Sequence, residues 1–117
     1  MQKMKLAEIA SILEAKIVCG THSENDEIKY GFSSDLMSDV LTLDIDNMLL
    51  ITGLANVQTI RTAEMSDIKY IVFVRNKKAS ADILKLATEN GMIILESPFS
   101  LFKASGLLFN AGLKPVY

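Results

Sequence analysis

Residues 48–95 read MLLITGLANVQTIRTAEMSDIKYIVFVRNKKASADILKLATENGMIIL and repeat one unit: an apolar run, a polar turn, an amphipathic segment and another apolar run. The three apolar runs are residues 48–51, 70–74 and 92–95, and the segments between them have the length of helices. Strands that are apolar throughout and alternate with helices are typical of a parallel sheet covered on both faces. The sequence therefore predicts an α/β fold with a central, mostly parallel sheet, a β-α-β-α-β core and helices on both faces.

The polar residues that follow these strands form the first candidate site. Sheets of this kind bind ligands at the carboxyl ends of their strands, and basic side chains near helix N-termini suit a phosphate or carboxylate. We therefore predict a binding site for a small anionic ligand, hereafter the rim, formed by Thr52, Gly53, Asn56, Arg75, Asn76, Lys77 and Ser97. The alternative interpretation is an ordinary basic loop that serves solubility.

Apolar periodicity and capping residues predict the other elements. Helical spacing and N-cap residues set the predicted helices, and alternation of apolar with polar residues sets the strands. In chain order we predict a helix over 4–15, a strand over 16–19, a polar loop over 20–27, a strand containing Ile28, Tyr30 and Phe32, a short helix capped within 33–35, helices starting at Asn56 and Ser80, a last helix capped by Ser97 and ending at Gly112, and a tail over 114–117.

Length and composition restrict the class of protein. A chain of 117 residues, half of them apolar, predicts one domain spanning residues 1–117 with a substantial core. The formal net charge of -2 argues against broad nucleic-acid binding, and no apolar run approaches the roughly 20 residues that span a bilayer. The N-terminal segment lacks the apolar core of a signal peptide, so we expect a cytoplasmic protein. Cys19 lies in an apolar run and is predicted to be buried.

The motifs of common enzymes are absent from the sequence. Neither the Gly-x-x-x-x-Gly-Lys-Ser/Thr phosphate loop nor a Gly-x-Gly-x-x-Gly fingerprint occurs. His22 is the only histidine and Cys19 the only cysteine, which is too few for a typical zinc site, and no nucleophile elbow accompanies His22. We predict a non-enzymatic protein without a cofactor.

Two further features each allow two interpretations. Asp35 and Asp39 lie four residues apart on the predicted short helix, so they form either a Mg²⁺ or Ca²⁺ site or, as we favour, a solvated helix face. The last helix is apolar over more than one face, because its phenylalanines are flanked by Leu101, Leu107, Leu108 and Ala111. Such a helix either lies deep in the core or completes it in a homodimer.

Four segments together resemble a stand-alone DRTGG domain, which is related to the N-terminal domain of HPr kinase/phosphorylase. They are residues 31–40 (GFSSDLMSDV), 50–53 (LITG), 70–74 (YIVFV) and 87–95 (ATENGMIIL). The resemblance covers nearly the whole chain and implies an α/β fold of the HPr-kinase N-terminal type. It implies no kinase activity, because the catalytic P-loop domain is absent from this sequence. Related domains accompany CBS pairs in certain pyrophosphatases and look like dimerising or regulatory units.

The chain departs from the family pattern at its signature. The string Asp-Arg-Thr-Gly-Gly occurs nowhere in the sequence. Related domains often place Asp-Arg after the Ile-Thr strand end, where this chain has Leu54-Ala55-Asn56. They often carry paired glycines after the next strand, where this chain has Arg75-Asn76-Lys77. The resemblance therefore carries over the fold and the regulatory character, but no binding residue.

Two functional hypotheses follow. The leading hypothesis is a regulatory module, a homodimer whose rim senses an anionic metabolite such as a nucleotide or docks a protein partner in signalling or metabolic regulation. The alternative is a structural or protein-interaction subunit without a small ligand, which uses the last helix as its contact. Neither hypothesis involves nucleic acid or a membrane.

Overall fold

The computed structural model describes residues 3–20 and 22–117. Strands and helices alternate along most of the chain. The strands are β1 Met4–Lys5, β2 Lys16–Cys19, β3 Glu27–Ile28, β4 Tyr30–Ser33, β5 Met48–Thr52, β6 Tyr70–Phe73, β7 Ile93–Glu96 and β8 Lys114–Pro115. The helices are α1 Leu6–Ile12, α2 Met37–Val40, α3 Val57–Met65, α4 Ala81–Glu89 and α5 Leu101–Ala111.

Six of these strands form the central sheet, in the order β2-β7-β6-β5-β4-β8. The five strands from β7 to β8 run parallel, and β2 pairs antiparallel with β7 at one edge. Strands β1 and β3 form a separate two-stranded antiparallel ribbon. The predicted fold class, an α/β domain with a mostly parallel sheet, is confirmed.

The apolar strands supply both faces of the sheet. Leu49 and Ile51 of β5 belong to a core beneath α1 and α5, whereas Leu50 of the same strand belongs to a core beneath α3 and α4. Successive side chains of a strand point to opposite faces, so a strand covered on both sides must be apolar at every position. This explains why residues 48–51, 70–74 and 92–95 lack polar alternation.

The predicted starts of α3 and α4 are confirmed. The Asn56 side chain accepts a hydrogen bond from the Thr59 N–H, and the Ser80 side chain accepts one from the Ile83 N–H. Both residues lie in the extended conformation that an N-cap requires. Cys19 is buried, as predicted.

The predicted last helix began too early. The helix starts at Leu101 with Ser100 as its N-cap, and the Ser100 side chain accepts a hydrogen bond from the Lys103 N–H. Ser97 instead continues the course of β7, because its N–H donates to the Phe73 carbonyl. Four residues therefore separate β7 from the helix, and Ser97 caps nothing. The end at Gly112, which has a φ of 111°, is confirmed.

Other boundaries also differ from the prediction. The predicted first helix was too long, because residues 4–5 form β1 against Glu27–Ile28, which also shortens the predicted polar loop. Thr21 of that loop lies outside the described residues. The short helix α2 has Leu36 at its N-cap position, without a side-chain hydrogen bond. The predicted tail forms β8, which pairs with β4 at the sheet edge.

Within residues 3–20 and 22–117, no helix combines the length and the apolar character that crossing a bilayer requires.

Candidate functional site: the carboxyl ends of the parallel strands

Parallel register brings the ends of β5 and β6 together. Thr52, the last residue of β5, pairs with Phe73, the last residue of β6, and its carbonyl accepts a hydrogen bond from the Val74 N–H at 3.0 Å. Gly53 comes directly after Thr52, and Arg75 comes two residues after Phe73. The fold therefore places Thr52, Gly53 and Arg75 in contact at one edge of the sheet, as the rim prediction requires.

A carboxylate occupies the centre of this cluster. Asp35, which follows the neighbouring strand β4, accepts two hydrogen bonds at Oδ1: one from the Thr52 hydroxyl at 2.8 Å and one from the Gly53 N–H at 2.7 Å. Its Oδ2 lies 3.9 Å from Arg75 Nη2. Three donors from two strand ends thus converge on a single negatively charged group.

The sequence interpretation missed this role of Asp35. It paired Asp35 with Asp39 on a helix, but α2 begins only at Met37, so Asp35 lies in the turn before it. No group of three or more potential metal ligands occurs among the residues that the structure describes. The position of Asp35 in the sequence could have revealed this contact. Asp35 closely follows β4, and because β4 runs parallel to β5, the two strands end on the same side of the sheet.

Arg75 is held against the backbone of Gly53. Its Nη2 donates to the Gly53 carbonyl at 3.2 Å. Its own N–H donates to the Phe99 carbonyl at 2.7 Å, and the Asn76 N–H donates to the Ser97 carbonyl at 3.0 Å. These contacts with the segment between β7 and α5 fix the turn that carries the guanidinium.

That turn adopts a conformation that favours glycine. Arg75 and Asn76 have φ values of 59° and 58°, in the left-handed region where a β-carbon is unfavourable. This left-handed turn follows β6 directly and carries the guanidinium that meets Asp35.

The remaining rim residues lie at different depths. Asn56 uses its side-chain oxygen to cap α3, and Asn76 and Lys77 are exposed on the turn. Ser97 is buried, and its hydroxyl donates to the Leu13 carbonyl at 2.8 Å and accepts from the Phe99 N–H at 3.2 Å. The structure therefore places the Ser97 hydroxyl in the interior, away from the cluster around Asp35.

The charges at this edge are largely paired. Arg75 faces Asp35, and Lys78 Nζ lies 3.7 Å from Glu96 Oε1. Glu96 Oε2 also accepts a hydrogen bond from the Ala79 N–H at 2.8 Å. Among the described residues, Lys77 is the cation of this turn that forms no ion pair.

A second surface lies on α5. Ala104 and Leu108 are buried against the sheet, whereas Phe102 is 90% exposed and Phe109 is 68% exposed. The helix therefore joins the core on one side and presents phenylalanines on the other, so the two interpretations of this helix do not exclude each other.

A groove separates α5 from strands β4 and β8. It has a volume of about 340 Å³ and is bordered by the exposed phenylalanines Phe102 and Phe109. At its polar end, the Ser33 and Ser105 hydroxyls share a hydrogen bond of 2.6 Å. A β-carbon added at Gly106 would meet nothing within 4 Å, so the groove is open above this residue. Below, "α5 face" denotes Phe102, Gly106 and Phe109.

Comparison with known proteins gives a family and a fold. The family model described as "DRTGG domain" matches residues 8–111. The structure is similar to the CBS and DRTGG domains of the regulatory region of Clostridium perfringens pyrophosphatase, solved in complex with the activator diadenosine tetraphosphate. That likeness has a TM-score of 0.70 at 16% sequence identity and covers 89% of this chain. The chain spans 45% of the length of that solved chain, and no curated protein matches it.

Proposed function

Since the chain belongs to the DRTGG domain family, we propose that it is a non-enzymatic regulatory module that binds a small anionic metabolite, such as a nucleotide, at the rim. The similar pyrophosphatase region gives this proposal a precedent, because that protein is regulated by a nucleotide activator. The rim itself is assigned from the contacts of this chain alone.

One observation carries the proposal: the Thr52 and Gly53 donors already hold a carboxylate, and Arg75 forms an ion pair with it. The two bonds to Asp35 Oδ1, at 2.7 and 2.8 Å, have the length of charge-assisted hydrogen bonds. A backbone N–H, a hydroxyl and a guanidinium are also the groups that bind phosphates and carboxylates in other proteins. These contacts support an anion site at the rim, and Lys77 adds a positive charge on the same turn as Arg75.

The test measures thermal unfolding with a panel of nucleotides, sugar phosphates, acyl phosphates and small carboxylates. A ligand at about 100 times its dissociation constant stabilises a protein by about 2.7 kcal/mol, which raises the midpoint of a domain of this size by several degrees. We expect a selective shift that the double substitution Arg75→Ala with Lys77→Ala removes.

Arg61→Ala with Lys85→Ala is the matched control, because it also removes one arginine and one lysine. Both residues are exposed, on α3 and α4, beside a surface depression away from Asp35. The control variant should keep the ligand shift. A panel without any shift in the wild-type protein would refute metabolite binding.

The α5 face is suited to binding a protein partner. We propose that it forms a homodimer interface, and that regulation passes through this contact. An exposed phenylalanine beside an open groove can insert into the groove of a second copy, and in a two-fold interface each copy makes the same contact. If the panel gives no shift, this contact supports the alternative function, a protein-interaction subunit without a small ligand.

A further inference from the structure

We propose that Asp35 is the built-in occupant of the anion site and that a phosphate group binds there by replacing its carboxylate. This inference rests on the proposed function, and it adds the ligand class and a mode of regulation. "Cradle" denotes the three groups that Asp35 contacts: the Thr52 hydroxyl, the Gly53 N–H and the Arg75 guanidinium.

The cradle has unused capacity for an anion. Both hydrogen bonds of the Thr52 and Gly53 donors go to one oxygen of Asp35, and the other oxygen lies 3.9 Å from Arg75, beyond hydrogen-bond distance. A guanidinium has five N–H donors in a fork that matches phosphate. Among residues 3–20 and 22–117, the one hydrogen bond that the Arg75 guanidinium forms goes to the Gly53 carbonyl. A phosphate, with more oxygens and more charge than a carboxylate, can use donors that Asp35 leaves free.

The occupant can leave while the donors stay in place. The side chains of Asp35 and Arg75 are 40% and 50% exposed, and exposed ion pairs are weak, so the two hydrogen bonds at Oδ1 are the main contacts that a phosphate must replace. Thr52 is fully buried and Gly53 is buried. A rotation of the Asp35 side chain into solvent therefore opens the cradle without disturbing the strand end that forms it.

The backbone around Asp35 is anchored separately from its side chain. The Ser34 N–H donates to the Ile51 carbonyl at 3.1 Å, and the Leu36 N–H donates to the Ser34 hydroxyl at 3.0 Å. The turn between β4 and α2 thus keeps its place when the carboxylate leaves. Each ligand-binding event exposes the Asp35 carboxylate beside α2, which gives the site a way to signal its occupancy to that short helix.

Charge explains why the occupant matters for selectivity. With Asp35 in the cradle, its charge offsets that of Arg75. A weakly charged ligand therefore gains little binding free energy by replacing Asp35. An occupant that fills a site for about nine tenths of the time lowers the apparent affinity of a competitor about tenfold. Asp35 therefore competes with every ligand for the cradle, and only a strongly charged group, such as a phosphate, binds tightly enough to displace it.

The experiment compares inorganic phosphate binding to wild type, Asp35→Ala and Asp39→Ala by NMR titration of the Gly53 amide. Asp39 is exposed on α2 and serves as the charge-matched control. We expect Asp35→Ala to bind phosphate about tenfold more tightly than wild type, and Asp39→Ala to bind like wild type. Adding Arg75→Ala to Asp35→Ala should abolish the gain.

Equal affinity in wild type and Asp35→Ala overturns the inference, and so does a gain that survives the loss of Arg75. If Asp35→Ala fails to fold, Asp35→Asn replaces it, because its amide oxygen still accepts from Gly53 while its charge is gone. This variant too must bind phosphate more tightly than wild type.

The outcomes also separate this inference from the proposed function. In one outcome, Asp35→Ala binds phosphate and the wild-type protein responds to no ligand. This outcome supports the role of Asp35 as the occupant of the cradle and refutes metabolite sensing by the native chain. A wild-type ligand shift that depends on Arg75 but has the same dissociation constant in Asp35→Ala supports sensing and refutes the role of Asp35.

Discussion

Gly53 and Arg75 approach so closely that a side chain at position 53 cannot coexist with the present position of the guanidinium. A β-carbon built on Gly53 would lie 2.5 Å from Arg75 Nε, 2.7 Å from Nη2 and 2.8 Å from Cζ. Real β-carbons do not make contacts this short. The guanidinium therefore reaches Asp35 only because residue 53 is a glycine.

Gly53→Ala should separate ligand binding from stability. The guanidinium is the half-exposed end of a flexible side chain, so it can move away, and we expect a loss of about 1 kcal/mol or less in urea denaturation. The displaced Arg75 should weaken ligand binding as strongly as Arg75→Ala does. Gly106→Ala, which adds the same methyl group in open space, is the control for thermal-shift measurements. An unchanged ligand shift in Gly53→Ala would contradict the importance of this contact.

Gly106→Ala should stabilise the isolated chain. Gly106 lies inside α5, where glycine costs about 0.5–1 kcal/mol relative to alanine. Apart from the neighbouring residues and backbone of the helix itself, the added methyl group meets nothing within 4 Å. We expect a gain of this size in the free energy of unfolding at low protein concentration. At concentrations where the protein dimerises, the methyl group should weaken association if the α5 face is the interface. A loss of stability in the monomer would show that the groove closes in solution.

Phe102→Asp and Leu108→Asp should have opposite effects. Phe102 is 90% exposed and Leu108 is 1% exposed on the same helix. The first substitution should leave a folded monomer, whereas the second buries a charge and should cost several kcal/mol, enough to unfold the chain. Light scattering after size exclusion and far-UV circular dichroism distinguish these results. A folded dimer of Phe102→Asp would exclude this residue from the interface.

Ser97→Ala should destabilise the fold without affecting the ligand. The hydroxyl donates to the Leu13 carbonyl from a fully buried position and accepts from the Phe99 N–H. Its removal leaves these backbone groups without partners, at a cost of about 1–3 kcal/mol in urea denaturation. Thermal shifts by rim ligands should remain. If Ser97→Ala kept the stability of wild type but lost the thermal shift with ligand, Ser97 would belong to the binding site, as predicted from the sequence.

Tyr70 should make the protein sensitive to alkaline pH. Burial, and then the hydrogen bond that its hydroxyl donates to Asp26 at 2.8 Å, raise the pKa of Tyr70 well above its ordinary value of 10.0. The folded state keeps this proton when the unfolded state has lost it, so the contribution is complete below about pH 10 and is lost as the pH rises further. In this window the free energy of unfolding should fall by at most about 1.4 kcal/mol for each pH unit.

Tyr70→Phe removes the titrating group and checks this assignment. Its free energy of unfolding should decline less steeply than that of wild type from about pH 10 upward, measured by urea denaturation at a series of pH values. Tyr117→Phe is the control, because Tyr117 is 91% exposed. Parallel declines for Tyr70→Phe and wild type would refute the assignment.

The sequence predicted the elements whose signals are local. Strands β5, β6 and β7 carry unbroken apolar runs, and Asn56 and Ser80 cap the helices that follow two of these strands. A cap acts on a backbone amide three residues away, and strand burial depends on the composition of a short run, so neither requires knowledge of distant residues. The strand ends of the rim followed from the same reasoning.

What the sequence could not determine were the contacts between distant residues. Asp35 is 17 residues from Thr52, and Ser97 is 84 residues from Leu13. Ser97 precedes a proline and resembles a helix cap, yet its hydrogen bonds to Phe73 of β6 and to Leu13 hold it at the end of β7 and leave the cap to Ser100. The tail over 114–117 carries no strand signal, and its first two residues form β8 only because β4 offers a free edge.

By itself, then, the sequence determined which segments are buried and where the parallel strands end, because hydrophobic burial follows from residue type and spacing. Only the tertiary structure decided that the carboxylate of Asp35 fills the space between Thr52, Gly53 and Arg75. A polar side chain satisfies its hydrogen bonds with whichever partner the fold brings within about 3 Å. That partner depends on the packing of the whole sheet and on no local pattern of residues.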